Sequence, residues 1–179
     1  LSRGLGDVYK RQIQEGMVVA DIGAGSGYFT RRFARAVGER GKVYAVDIDA
    51  EILEYLGETV RQQGVRNVEI VVGREDNSLL PEKGVDLVFF CDTTHHMRDR
   101  AGYFRHVRQI LRPGGRMAII DYPPEAHELG YCPHKPEELV PRWQIIEEAQ
   151  RAGFELVGEF SFLHPRQYFL VFRVKPEGS

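Results

Sequence analysis

The chain has little of what marks the more specialised protein classes. Only two of its 179 residues are cysteines, Cys91 and Cys132, and they form no CxxC pair. That excludes a disulfide scaffold and makes a reducing, cytoplasmic setting the expected one. No apolar run approaches the roughly 20 residues that span a bilayer, and the first residues show no signal-peptide core. Charge of one sign is not in excess: 24 Lys and Arg face 26 Asp and Glu, a net charge of -2. A strongly cationic nucleic-acid binder would look different, and neither a nucleic acid nor a membrane is an expected partner. Internal repeats and linkers are missing too, which leaves one compact domain with the ordinary balance of 42% hydrophobic and 28% charged residues.

The first residues stand apart. Leu1–Gln12 reads LSRGLGDVYKRQ, with no initiator methionine and no helical or strand period. It resembles a translated adapter sequence of the kind sometimes fused to environmental gene fragments. Residues 1–12 are set aside as a non-native or disordered leader, and a single domain is expected over 13–179.

From Met17 onward, apolar strands alternate with amphipathic helices. MVVADI (Met17–Ile22) is a short apolar run closed by glycines, the pattern of a strand buried on both faces. Phe29, Phe33, Ala34 and Val37 recur at helical spacing over Ser26–Gly38. KVYAVDI (Lys42–Ile48) predicts a second strand, Asp49 an N-cap, and Ala50–Gln63 a second helix stopped at Gly64. Third and fourth strands are expected at Val68–Val72 and Val85–Cys91 and a helix at Tyr103–Leu111. A fifth strand, Met117–Asp121, follows the turn signal Pro113-Gly114-Gly115. Tyr122–Pro141 is rich in proline and reads as a long loop with one short turn of helix. Trp143–Ala152 predicts a last helix. Phe154–Phe160 and Tyr168–Val174 close the chain as strands, and their short link, Ser161–Gln167, permits an antiparallel hairpin. The alternation gives an α/β class with a parallel sheet and right-handed crossovers.

The first strand runs into Asp21-Ile22-Gly23-Ala24-Gly25-Ser26-Gly27. Glycines at such a bend let backbone approach a ligand where a Cβ would collide. The helix that follows presents N–H groups and a positive dipole end. Two cofactor classes use this bend. The dinucleotide fingerprint GxGxxG puts its last glycine where this chain has Tyr28; here the third glycine is Gly27, giving GxGxG. The Asp21 carboxylate is badly placed beside a pyrophosphate. It suits a ligand carrying an ammonium and a sulfonium, such as S-adenosylmethionine. Asp47 ends the second strand, where a carboxylate can accept two hydrogen bonds from ribose hydroxyls in either class. After the third strand, Asp76 or its neighbour Glu75 could meet an adenine amino group, or the pair could form an acidic surface turn. Ile48 could cover the adenine face or belong to the core.

Taken in order, VVADIGAGSGYFT, VYAVDID, GVDLVFFCDTTHHM and LRPGGRMAIID resemble the motifs of class I S-adenosylmethionine-dependent methyltransferases, over about Met17 to Val174. The resemblance implies a three-layer, Rossmann-like, doubly wound sheet of seven strands, mostly parallel with the last antiparallel. The hairpin link agrees with that from the residues alone. It further implies S-adenosylmethionine as cofactor, with Asp21, Gly23, Ala24, Gly25 and Gly27 around its methionine part. Asp47 would hold the ribose and Ile48 with Glu75 or Asp76 the adenine, while backbone around Cys91 and Asp92 borders the methionine end. Arg74 stands where many relatives carry an acid or a small residue. The implied activity is methyl transfer by in-line displacement; the absence of an added recognition domain points to a small-molecule acceptor, with a protein or RNA acceptor as the alternative. Two other readings compete. One is an NAD(P)-dependent oxidoreductase, against which the glycine spacing and Asp21 argue. The other is a non-catalytic accessory module, which would keep the cofactor residues and tolerate loss of the histidines described next.

Asp92-Thr93-Thr94-His95-His96 follows the fourth strand, a position that in this fold faces the methyl acceptor. A histidine there, with its ordinary pKa of about 6.5, could act as general base or could be structural. The sequence does not choose between His95 and His96. His127, Cys132 and His134 are scattered through the Pro-rich loop and fall short of the close four-ligand spacing of zinc, so no metal is expected. Asp121-Tyr122-Pro123-Pro124 resembles in composition the DPPY signature of amino-methylating DNA enzymes. Its order differs and it follows the fifth strand rather than the fourth, so it is set aside.

Overall fold

The structure, a computed structural model, describes residues 12–176. The expected leader lies outside the described residues apart from Gln12, whose side chain accepts a hydrogen bond from Arg116 Nη1 at 2.6 Å. The chain runs β1 (Val18–Ile22), α1 (Tyr28–Val37), β2 (Lys42–Asp47), α2 (Ala50–Gln62), β3 (Val68–Val72) and β4 (Val85–Cys91). It continues through α3 (Arg100–Ile110), β5 (Leu111–Asp121), the short α4 (Glu125–Glu128), α5 (Arg142–Arg151), β6 (Phe154–Phe160) and β7 (Tyr168–Val174). The strands form one seven-stranded sheet in the order β3-β2-β1-β4-β5-β7-β6. All pairings from β3 across to β5 are parallel, while β7 lies antiparallel to both β5 and β6. This is the doubly wound sheet and the closing hairpin expected from the sequence.

Strand parity builds two cores. In β4, Val88 and Phe90 pack with Tyr103, Phe104, Val107 and Ile110 of α3 and with Ile145 and Ala149 of α5. The alternate residues Leu87 and Phe89 pack with Phe33, Ala34 and Val37 of α1. Leu53, Leu56 and Val60 of α2 close over Ala45 of β2 beside that second core. Helices α1 and α2 therefore cover one face and α3 and α5 the other. The unbroken apolar run of β4 is what a strand covered on both faces requires. Among the described residues no helix is long and apolar enough to cross a membrane.

Two boundaries shift from expectation. Helix α3 begins at Arg100 rather than Tyr103, because Asp99 caps it: its carboxylate accepts from Gly102 N at 2.8 Å. Strand β5 begins at Leu111 rather than Met117. It pairs with β4 at Val85↔Leu111 and again at Leu87↔Arg116, and Pro113-Gly114-Gly115 forms the irregularity between those registers. Gly114 takes φ +80° there, so the turn signal marks a bulge within a strand.

The sheet order reverses between β1 and β4, and the crevice at the carboxyl ends of these strands is the place an open α/β sheet offers a ligand. Asp21 and Ile22, Asp47, Cys91 and Asp121 all stand at that edge. Because β7 is antiparallel, Tyr168 pairs with Asp121. That brings the link preceding β7 to the same edge.

Candidate active site

The glycine loop is held shut against the sheet. Gly23 N and Ala24 N donate to Val46 O at 2.8 and 3.0 Å, and Gly27 N donates to Ala24 O at 2.9 Å. Its three glycines have separate reasons to be glycine. Each has positive φ, but a Cβ on Gly23 would lie 2.3 Å from Thr93 Oγ1 and one on Gly27 2.1 Å from Leu56 Cδ1. On Gly25 a Cβ would meet nothing among the described residues nearer than Ile52 Cδ1 at 3.9 Å. Gly23 and Gly27 are packing glycines, and Gly25 is the one that leaves space above the loop.

Two cavities open there. One, of about 390 Å³, is lined by Asp47, Ile48, Gly73, Glu75, His96 and Tyr103 among others. The second, of about 440 Å³, is lined by Asp21, Gly25, Tyr28, Cys91, Tyr122 and Arg166 among others. Gly23 and Asp92 border both, so the two form one trough running across the switch point.

The carboxylates along the trough differ in state. Asp21 is 2% exposed. It accepts from Thr30 Oγ1 at 2.6 Å, yet burial pushes its pKa up to about 7. Asp47 is half-buried and accepts Gly25 N at 2.9 Å and Asp49 N at 3.1 Å. It thus aims the loop while keeping lone pairs for the cavity. Asp49 caps α2, as expected, by accepting from Glu51 N and Ile52 N. Asp92 takes φ +52° at the junction of the cavities and accepts from Gln167 Nε2 at 2.5 Å. The protein atoms packed about it, and then the nearby Asp121 charge, raise its pKa to about 6. Burial, then Asp92 and further carboxylates, push the Cys91 thiol well up. Cys91 therefore lines the site as a neutral thiol and not as a nucleophile.

Of the residues singled out in the sequence, the trough gathers Asp21, Gly23, Ala24, Gly25, Asp47, Ile48, Glu75, Cys91, Asp92 and His96. Ile48 is 62% exposed, which removes the core reading for it. Ala24 touches the trough, but its side chain belongs to the cluster around Leu53 and Leu56. Three residues fall elsewhere. Gly27 serves as the N-cap of α1 against Leu56. Asp76 lines neither cavity: Arg74 and Asn77 close a turn through reciprocal backbone bonds of 2.7 and 3.3 Å, and of the two acids at its tip only Glu75 borders the trough. His95 points away from both cavities.

His95 is fixed by the end of β5. Its Nδ1 lies 2.7 Å from Asp121 Oδ1, with side chains 1% and 0% exposed. Asp121 also accepts from Thr94 Oγ1 at 2.5 Å, His95 N at 3.2 Å and Tyr122 N at 2.9 Å. His96 borders both the trough and a separate hollow lined by His95, His134, Glu138 and Arg100. Surrounding protein atoms, then the imidazoles of His95 and His134, lower the His96 pKa. His134 alone of the three loop residues joins this group. Cys132 is buried with Ala126 and Leu139, and His127 is exposed.

Sequence reasoning did not single out Asp121, Arg166 and Gln167 as site residues. An acid at the carboxyl end of β1, β2 and β4 was the available signal for Asp121. For Arg166 and Gln167 the signal was the antiparallel hairpin, which returns its link to the carboxyl edge of the parallel strands.

The comparisons with known proteins follow this geometry. A family profile described as a methyltransferase domain matches residues 13–153. The chain belongs to this family. With the family comes its cofactor, S-adenosylmethionine, which decides between the two classes that Asp47 alone left open. A solved S-adenosylmethionine-dependent methyltransferase from Aquifex aeolicus is 28% identical, with a TM-score of 0.84 over 94% of this chain and 87% of that one. A Pyrococcus horikoshii protein, 19% identical with a TM-score of 0.81 over 96% of this chain and 88% of that one, shares the fold. Among curated relatives, the ubiquinone/menaquinone biosynthesis C-methyltransferase of Shewanella frigidimarina is 25% identical over 155 residues, 85% of this chain. This chain spans 62% of that relative's length.

Proposed function

We propose that this methyltransferase domain transfers a methyl group from S-adenosylmethionine to a small organic acceptor that enters beside His96. The observation that carries the reading is the single trough across the switch point, with acceptor carboxylates at both ends and an open space above Gly25. That space fits a nucleoside amino acid. When bound, the cofactor supplies an electrophilic methyl on a sulfonium, for which positioning carries much of the rate.

In this reading the chain's residues divide the work. Asp47 already takes two backbone N–H groups and has lone pairs left for ribose hydroxyls. The exposed Ile48 covers one face of the adenine, and Glu75 accepts from its amino group. Asp21 faces the ammonium end. Arg166, which lines the same cavity, provides a guanidinium for the carboxylate. Asp92 and Cys91 border the reacting end. His96 stands on the acceptor side, where it orients the acceptor or takes its proton, with His95 held behind it by Asp121. The curated relatives named for quinone biosynthesis favour a small, largely apolar ring as acceptor. The two cysteines are free thiols, in keeping with a reducing cytoplasm.

Calorimetric titration with S-adenosylhomocysteine tests this, with NAD as control. Micromolar binding is expected for the thioether and none for NAD. Asp47→Ala should weaken binding by about 10–100-fold, the worth of one or two hydrogen bonds to a charged acceptor. Binding of NAD instead, or an Asp47→Ala protein that folds and binds undiminished, would overturn the assignment.

A further inference from the structure

We propose that His95, His96 and His134 form a binding site for one divalent transition-metal ion, with an open coordination position on the acceptor side of the trough. The site itself stands on geometry; only its role toward the acceptor rests on the functional reading above.

The three side chains come from two segments, the turn after β4 and the Pro-rich loop. Each places a ligand atom within 4.8 Å of the others. A tetrahedral site with metal–nitrogen bonds of about 2.0–2.1 Å spaces its nitrogens by about 3.4 Å. Closing the gap from 4.8 Å takes at most about 1.4 Å of side-chain movement, which the exposed His96 and the loop-borne His134 can supply while His95 stays fixed.

His95 is the strongest argument. Its Nδ1 is engaged by Asp121 at 2.7 Å. That hydrogen bond sets the tautomer with the proton on Nδ1 and the lone pair on Nε2. Nε2 is buried and has no hydrogen-bond partner among the described residues. A buried polar atom without a partner is unfavourable and calls for one. A carboxylate behind the ring and a bare nitrogen in front is the arrangement that orients a metal-bound histidine. Asp121 is itself anchored by Thr94, His95 N and Tyr122 N. Ring packing alone would also bring the imidazoles together, at centroid distances of 4.0, 4.7 and 5.4 Å. Ring packing gives the buried Nε2 no partner, whereas a bound metal ion would supply one.

The surroundings suit a cation. Glu138 Oε2 lies 3.8 Å from His134 Nδ1. Arg100, which lines the same hollow with Arg98, is neutralised by two hydrogen bonds to Glu148 at 2.7 and 3.0 Å. Three imidazoles select zinc, cobalt, nickel or copper over magnesium and calcium, which take oxygen ligands. Three protein ligands and one open position form the catalytic kind of site. An acceptor oxygen bound there would be polarised and would lose its proton to water more readily. His96 borders both the hollow and the trough, which puts such an acceptor beside the cofactor.

The test is a titration of the full chain, stripped with chelator, by Co(II) and separately by Mg(II). One equivalent of Co(II) should bind and give the visible absorption of a low-symmetry nitrogen site, with no response to Mg(II). Asp121→Asn should weaken Co(II) binding by about 10–100-fold, and His134→Ala and His96→Gln by more. No Co(II) absorption, or a titration unchanged in both histidine variants, would overturn the site. S-adenosylhomocysteine binding to the stripped wild-type chain is measured alongside. If the thioether binds and Co(II) does not, the metal site fails alone. If Co(II) binds through His134 and the thioether does not, the metal site stands and the cofactor reading fails.

Discussion

Replacing Asp21 with asparagine should make the domain more stable at pH 8 while costing it most of its affinity for S-adenosylhomocysteine. The carboxyl is 2% exposed and burial raises its pKa from 3.8 to about 7. Between these values the unfolded chain has released the proton and the folded chain still holds it. The folded state binds more protons there, so stability falls as pH rises through this window and levels off above it. The full rise corresponds to a cost of about 4 kcal/mol at pH 8. Asparagine removes the charge and keeps an acceptor for Thr30, but its new N–H₂ must find a partner, so a net gain of about 1–3 kcal/mol is expected. Urea unfolding of both proteins at pH 5 and pH 8 reads this directly: the advantage of Asp21→Asn should grow by about 2–3 kcal/mol between the two. An advantage that does not change with pH would mean that Asp21 has no raised pKa. Calorimetry reads the other half. Loss of a charge-assisted contact to the ligand ammonium should weaken binding about 10–100-fold. A variant that binds as well as the wild type would place the ammonium elsewhere. A carboxylate kept in the protein at a stability cost is the signature of a residue retained for its ligand.

The fold was legible because its signals are local. Each parallel strand is an apolar run too short to be anything but a strand, and the helices between them carry one apolar face. Asp49 and Gly64 mark ends that the backbone respects. The errors came where a tertiary pairing overrode a local signal. Pro113-Gly114-Gly115 reads as a turn, and it is one locally, but β4 supplies partners on both sides and the strand continues across it. The α3 start slipped because Asp99 lies outside the apolar period that located the helix.

The site was legible to the extent that it follows the carboxyl edge of consecutive strands. Asp21, Asp47 and Asp92 needed only the order of the elements. Asp121 had the same position, but its Pro-Pro sequel drew attention to a different motif. What could not be read was which of two adjacent histidines turns inward. Both follow β4 by a few residues, and the choice is made by Asp121, 26 residues beyond His95. The same holds for His134, which reaches the pair only because Cys132 and Leu139 bury together and fold the Pro-rich loop back. Contacts between segments this far apart leave no periodic trace in a single sequence.

The glycine loop gives the sharpest separation of folding from binding. Gly27→Ala should unfold more easily by about 2–5 kcal/mol, because two penalties combine. Its φ of +82° is costly for alanine, and its Cβ would sit 2.1 Å from Leu56 Cδ1. Leu56 is fully buried and has no room to give. Gly25→Ala meets only the backbone penalty of about 1–2 kcal/mol, since its Cβ approaches nothing closer than 3.9 Å. It should stay folded, with a Tm lower by a few degrees. In the proposed function that open space is the cofactor cradle, so the methyl group should abolish detectable S-adenosylhomocysteine binding in a protein that is otherwise intact. Thermal unfolding and calorimetry on the two variants decide the matter. If Gly25→Ala binds normally, the ligand does not lie over Gly25 and the trough assignment is wrong. If Gly27→Ala is as stable as Gly25→Ala, the packing of the loop against α2 is wrong instead. GxGxG thus interleaves two requirements: the outer glycines let the loop pack, and the middle one keeps open the space proposed for the ligand.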